Sequence, residues 1–305
     1  MGARGRGGRW SFAAALALGA LMAARPVRAT DAAPAIRVEI RARETAPGEP
    51  VRVVVRTKEP LASLVGSFLD RPLFFVEDPS PGAAPGTSWS AWAVVELDRR
   101  PGKALVEASG ATRAGGTVRG SAVVRVKDKE FPTQRLDVEP KYVTPPPEVE
   151  ARIAAERKRL GEVYARRSAG APPPGPFRRP VDGEPTSPFG ARRIFNDKPR
   201  DPHPGIDLRA ASGTVVRCAG RGRVALAGDL YYSGETVIVD HGGGLFTVYA
   251  HLSRIDVRDQ DAVDAGTVVG LSGATGRVTG PHLHWGAKIG DLPFDPRALL
   301  DPVLW

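Results

Sequence analysis

The stretch Gly280-Pro281-His282-Leu283-His284-Trp285 sets two imidazoles two residues apart in a short apolar run. That spacing suits a β-strand, where successive side chains alternate faces, so His282 and His284 project from one side. The run continues to residue 287 and has company. Short β-branched or aromatic segments recur at 215–216, 223–227, 236–239, 245–249 and 268–271. Glycine-rich turns punctuate them at Gly220-Arg221-Gly222, His241-Gly242-Gly243-Gly244 and Ser272-Gly273-Ala274-Thr275-Gly276. From Phe177 to Trp305 the pattern predicts an antiparallel β domain with few helices.

All five histidines, His203, His241, His251, His282 and His284, fall in the last 103 residues. His203 and Asp207 stand four apart in His203-Pro204-Gly205-Ile206-Asp207. Pro and Gly there argue against a helix, and an extended strand keeps residues i and i+4 on one face. Neutral imidazole and carboxylate are ligands that zinc takes, and three protein ligands with a fourth position open to water is the catalytic pattern. The remaining histidines would then act on protons, since an unperturbed imidazole titrates near neutrality. A lone His-x-His is more often surface or packing than metal. Two such pairs in one β domain, with His251 in Tyr249-Ala250-His251-Leu252-Ser253, shift the balance to a metal site. The blander reading holds for His241, which sits in a Gly-rich turn, and for Cys218, a lone thiol on a strand. Tyr249 reads equally as core or groove, as do Tyr231 and Tyr232, and Asn196 is placed near the site only by its closeness to His203.

His203-Pro204-Gly205-Ile206-Asp207, Tyr249-Ala250-His251-Leu252-Ser253 and Gly280-Pro281-His282-Leu283-His284-Trp285 resemble, in order and spacing, the three motifs of the lysostaphin/LytM-type metalloendopeptidases. Ser187-Pro188-Phe189-Gly190, Asp240-His241-Gly242 and Gly273-Ala274-Thr275-Gly276 resemble accessory landmarks of that domain, so the likeness runs from about Phe177 to Leu300. The resemblance implies one zinc ion on His203, Asp207 and His284. It also implies that His251 and His282 flank the attacking water and the scissile carbonyl, in roles that could be exchanged. The substrate class it implies is the peptides of peptidoglycan. Some members of the family have lost ligands and serve as non-enzymatic activators of cell-wall amidases; no such position is substituted here. The helical His-Glu-x-x-His of other zinc proteases, a P-loop, a dinucleotide fingerprint and a Gly-x-Ser-x-Gly elbow are absent.

Upstream, residues 30–141 read as short strands at 36–40, 51–55, 91–97, 104–108 and 118–126, a small β-sandwich, immunoglobulin-like in its strand count. Trp89 and Trp92 read there as packing residues. Tyr142-Val143-Thr144-Pro145-Pro146-Pro147 begins a stiff connector over 142–176. A helix is expected within it over 148–167, with Val149, Ile153, Leu160 and Tyr164 as an apolar stripe, and a rigid spacer is its simplest use. Residues 177–305 form the expected peptidase domain.

Residues 1–29 have the layout of a cleaved signal peptide: Arg4, Arg6 and Arg9, an apolar run, then Val27-Arg28-Ala29. Export to the periplasm or beyond follows as an expectation. The formal charge of +9 includes five arginines from that segment, and 38 basic against 34 acidic residues remain, a net +4. A mild excess suits contact with anionic envelope polymers. No basic block or RNP-like string supports nucleic-acid binding, and no later run of 18 apolar residues supports a membrane span. Protein partners are not legible.

Overall fold

The computed structural model describes residues 36–78 and 82–305. The expected signal peptide, residues 1–29, lies outside them. The chain is mainly β, and Pro34–Trp305 forms one compact unit. Among the described residues no helix is long and apolar enough to cross a membrane.

Eight strands between Ile36 and Val126 make two four-stranded antiparallel sheets. One runs in the order Ile36–Arg41, Pro50–Thr57, Ser88–Val94, Val76–Glu77. The other runs Arg71–Pro72, Leu61–Phe68, Gly102–Thr112, Thr117–Val126. Lettered in chain order this is A-B-E-D against C′-C-F-G, the immunoglobulin arrangement. Val51, Val53, Val55, Leu61, Phe68, Val106 and Val124 close its core. Strand Leu61–Phe68 escaped the sequence reading, because Ala62, Ser63, Gly66 and Ser67 dilute its apolar alternation.

A ten-stranded antiparallel sheet carries the C-terminal part. Its path is Pro185–Ser187, Gly205–Leu208, Leu283–Ile289, Leu245–Ile255, Gly234–Asp240, Gly222–Leu230, Ala262–Val263. Period-2 alternation splits its side chains cleanly. Val237, Val239, Leu245, Tyr249 and Trp285 enter the larger core, whereas Ile238, Phe246 and Val248 face the other way.

That second face is covered by the connector helix, Pro147–Tyr164, through Leu160, Val163 and Tyr164. The helix therefore packs on the sheet rather than standing free, and it stops three residues short of the expected end. On the same face lie His284, Gly286 and Lys288 of strand Leu283–Ile289, so helix and histidine cluster share one surface.

The sandwich is fastened to this sheet by apolar and ionic contacts. Trp92 leaves the sandwich core to pack 5.3 Å from Trp305, within the C-terminal core cluster. Glu49, fully buried, accepts from Arg43 at 2.7 Å and Lys129 at 2.6 Å, and Arg43 also reaches Asp295 at 3.1 Å. Strand Thr133–Leu136 then pairs in parallel with Arg192–Phe195, which links the sandwich's exit to the edge of the site. Removing the carboxylate of Glu49 would strand two cations in low dielectric, although each retains a second acidic neighbour. Glu49→Gln is expected to cost on the order of 3 kcal/mol in chemical denaturation.

Candidate metal centre

Asp207 and His284 are a cross-strand pair, directly opposite in the antiparallel ladder of Gly205–Leu208 with Leu283–Ile289. Such partners point to the same face with their Cβ atoms about 5 Å apart. The carboxylate Oδ1 lies 3.0 Å from His284 Nδ1. His203 does not share that strand. It precedes it, and the chain bends at Pro204-Gly205 before the strand begins. Its Nε2 nevertheless lies 3.0 Å from both Asp207 Oδ1 and His284 Nδ1. Gly205 is required by close approach: a Cβ there would stand 2.8 Å from Cε1 and Nε2 of the His284 ring and 2.5 Å from the Trp285 carbonyl.

Three donor atoms at the corners of a triangle 3.0 Å on a side, two imidazole nitrogens and one carboxylate oxygen, fit one cation. Tetrahedral zinc with ligands at ~2.0–2.1 Å separates them by roughly 3.3 Å. The surroundings fix each ligand. His203 Nδ1 lies 2.9 Å from the Pro188 carbonyl, which only accepts, so Nδ1 carries the proton and Nε2 presents its lone pair inward. Arg193 donates to Asp207 Oδ2 at 2.8 Å and to Ser187 Oγ at 3.2 Å, and Ser187 donates in turn to Gln134. Burial pushes the His203 pKa down to about 4 despite Asp207, so the ring is neutral. Burial alone would raise the Asp207 carboxyl, but the His203 and His284 rings set against it outweigh burial and hold it well below the usual carboxylate range.

His282 precedes the strand proper, in an isolated bridge with Gly273, and still turns its ring toward the triad: Nε2 is 3.6 Å from Asp207 Oδ1. Its Nδ1 lies 2.8 Å from the Gly280 carbonyl. His251 arrives by a different route. Regular alternation would turn it away, because its neighbour Ala250 is the residue paired with His284. An extra residue on strand Leu245–Ile255, where Tyr249 and Leu252 face Val237 and Glu235, makes a bulge that redirects it. His251 has φ 64°, a left-handed conformation that costs a non-glycine residue of order 1–3 kcal/mol. Its ring centroid comes to 5.0 Å from that of His282, and its Nδ1 to 2.8 Å from the Thr275 carbonyl. Burial pushes its pKa down to about 3, with His284 and His282 nearby adding to the effect.

The other residues singled out in the sequence go elsewhere. His241 is buried away from the centre, with Nδ1 2.8 Å from the Arg221 carbonyl and Nε2 2.8 Å from Thr247 Oγ1. Tyr249 is core, its hydroxyl accepting from Ala219 N–H at 2.7 Å beside the buried Cys218. Asn196 is not at the centre: its amide clamps both backbone groups of Val138 at 2.9 Å. Tyr231 packs on Tyr142 of the connector at 5.3 Å, whereas Tyr232 lines a cleft between the connector helix and the sheet. Arg193 and Gln134 were not read from sequence as part of the centre, and Ser187 only as the start of an accessory landmark. Arginine next to arginine on a short strand gives no signal until the fold sets it beside Asp207.

These features define a β-sheet protein in which two imidazoles and a carboxylate are placed to hold a metal ion and two further imidazoles turn toward them. Residues 201–296 match peptidase family M23. A solved structure from Pseudomonas aeruginosa assigned to the M23 peptidases is 30% identical with TM-score 0.63, over 85% of this chain and 96% of that one. The chain belongs to peptidase family M23. Peptidoglycan DD-endopeptidase ShyA of Vibrio cholerae serotype O1 is 42% identical over 111 residues, 35% of this chain and 26% of that protein. DD-carboxypeptidase/endopeptidase Mpg of Neisseria meningitidis serogroup B is 39% identical over 118 residues, 39% of this chain and 27% of that protein. The chain therefore spans about a quarter of the length of these curated relatives.

Arg193→Ala, which frees the outer oxygen of Asp207, is expected to weaken divalent-metal binding about 10–100-fold in chelator competition while the fold is retained. A second expectation concerns acid stability. Burial pushes the His241 pKa down to about 4, from about 6.5 when unfolded, so the unfolded chain binds the extra proton. Stability is intact above about pH 6.5 and falls as pH drops toward 4, by about 3 kcal/mol from this residue alone. Urea midpoints measured across that window should show the decline, and His241→Gln should flatten it.

Proposed function

We propose that the chain is an exported zinc-dependent endopeptidase that hydrolyses peptide bonds in the cross-links or stem peptides of peptidoglycan. One observation carries the reading: three metal-binding atoms converge within 3.0 Å of one another, and two further imidazoles, His251 and His282, turn to the same spot. A site serving structure alone would close with a fourth protein ligand, whereas three leave a position for water. The named activities of the Vibrio and Neisseria relatives, both peptidoglycan or D,D-peptide hydrolases by name, support the substrate class. Peptidoglycan as substrate in turn supports export to the periplasm or outer envelope.

His203, Asp207 and His284 hold the single ion. When bound, zinc supplies Lewis acidity, lowering the pKa of a coordinated water to about 7 and polarising a carbonyl. The histidines beyond the ligands move the proton. His282 spends Nδ1–H on the Gly280 carbonyl, so its Nε2 is a free acceptor near the triad and takes the proton from the attacking water. The same imidazolium then delivers it to the leaving amine. His251 likewise spends Nδ1–H on Thr275, so in this tautomer its Nε2 accepts a hydrogen bond and cannot donate one to an oxyanion. It orients the water or the amide N–H. Arg193 holds Asp207 in register, and Thr275 holds His251. Residues 30–141, 142–176 and 177–305 act in this reading as a sandwich module, a connector and the peptidase domain.

Incubating the protein with purified peptidoglycan, with and without chelator, should release peptide fragments only when metal is present. His284→Ala is expected to lose both zinc and hydrolysis, and His282→Ala to keep zinc while losing about 100-fold or more in rate. A zinc-loaded His282→Ala protein of full activity would remove the proposed base. Chelator-insensitive wall binding without cleavage would point instead to a non-enzymatic activator of another wall hydrolase.

A further inference from the structure

Beside the histidines, Arg277 is held in an unusual position. Its guanidinium carbon lies 4.7 Å from the ring centroid of Phe195 and 5.0 Å from that of Tyr232. Both rings belong to segments that build the metal centre. Phe195 is two residues beyond Arg193, the partner of Asp207, on strand Arg192–Phe195. Tyr232 precedes Ser233, whose carbonyl accepts the His251 backbone N–H at 2.9 Å. Arg277 itself follows Thr275, which holds the His251 ring, and its backbone N–H donates to the Tyr232 carbonyl at 2.8 Å. The guanidinium thus bridges two segments, one carrying Arg193 beside Asp207 and the other holding the His251 backbone.

Its electrostatic surroundings are one-sided. Arg193 is paired with Asp207 at 2.8 Å, but among the described residues neither Arg277 nor Arg200 has a carboxylate partner. Burial, with Arg193 and Arg200 nearby, works against the charge on Arg277, yet a guanidinium stays protonated regardless. Ring faces offset part of that desolvation, by about 1 kcal/mol each, and among the described residues no acceptor takes the guanidinium N–H groups. Arg277 opens into a cleft of about 610 Å³ between the connector helix and the sheet, which Arg200, Tyr232 and Lys288 also line. Lys288 lies on the same strand face as His284. Four cations line the cleft, Arg157 being the fourth, against the two acids Asp201 and Glu156, which favours an anionic occupant.

Resting on the peptidase reading, we propose that Arg277 receives a free carboxylate of the substrate peptide, making the site selective for anionic stem peptides over neutral peptides such as glycine bridges. The planar fork suits bidentate carboxylate, and stacking between two rings fixes its plane before substrate arrives. Pre-organisation of this kind acts on binding, so the effect belongs in KM more than in kcat.

Two probes test it: a synthetic cross-linked stem-peptide dimer with free carboxylates, and the same dimer with those carboxylates converted to carboxamides. The wild-type protein is expected to prefer the free form by about tenfold or more in kcat/KM. Arg277→Gln should erase that preference by losing activity on the free form alone, and Arg277→Lys should restore part of it. Equal kcat/KM for the two probes in the wild type overturns the proposal. So does an equal loss on both in Arg277→Gln, the signature of a purely structural clamp. Calorimetric titration of both probes into His282→Ala, with and without Arg277→Gln, separates this idea from the peptidase reading. Arg277-dependent binding of the free form without wild-type cleavage would leave the subsite standing and sink the hydrolase. No binding preference in that titration, together with no cleavage, overturns both.

Discussion

Three acceptor atoms held 3.0 Å apart are a costly arrangement for an isolated protein, and the C-terminal sheet is organised around that constraint. Two lone pairs and a carboxylate oxygen repel one another unless a proton or cation lies between them. The cost is met by rigidity. Asp207 and His284 are locked opposite each other by ladder register, and a slip of one residue would turn either to the other face. His203 is locked from behind by a backbone carbonyl, and Asp207 by a guanidinium. Each of the three side chains is thus fixed by the fold itself, as a pre-organised metal centre would require.

The same economy extends outward through the sandwich and connector. Arg193 reaches Asp207 from a strand paired with Thr133–Leu136, the segment leaving the sandwich. Gln134 on that segment accepts from Ser187, which itself touches His203 and Arg193. The upstream module, which carries no histidine or cysteine, thereby contributes a side chain to the layer behind the ligands. The connector helix lies on the same sheet face as His284 and forms one wall of the cleft that Arg277 enters. A segment expected as a spacer shapes the approach to the site.

Proton placement narrows the roles of the extra histidines. His203, His251 and His282 all set Nδ1 against a backbone carbonyl, so all three present Nε2 inward as acceptors, while His284 alone turns Nδ1 to the triad. Motif spacing is blind to this difference, because it arises from which carbonyl lies behind each ring.

The sequence by itself determined the β class and the three histidine-bearing motifs, because period-2 patterning and the clustering of five histidines in the last third are properties of the linear chain. It also supplied a correct core reading for Cys218 and a turn-and-packing reading for His241. Tertiary structure alone decided how the pieces meet. The His203–Asp207 pairing depends on a bend at Pro204-Gly205 rather than on a common strand face, and His251 depends on a bulge that reverses its alternation. Asn196, adjacent to the site in sequence, was taken by Val138, while Arg193, with no signal in the pattern, was brought to Asp207. Local residue order sets which face a side chain prefers. Only long-range pairing between strands some eighty residues apart sets what stands on the other side of it.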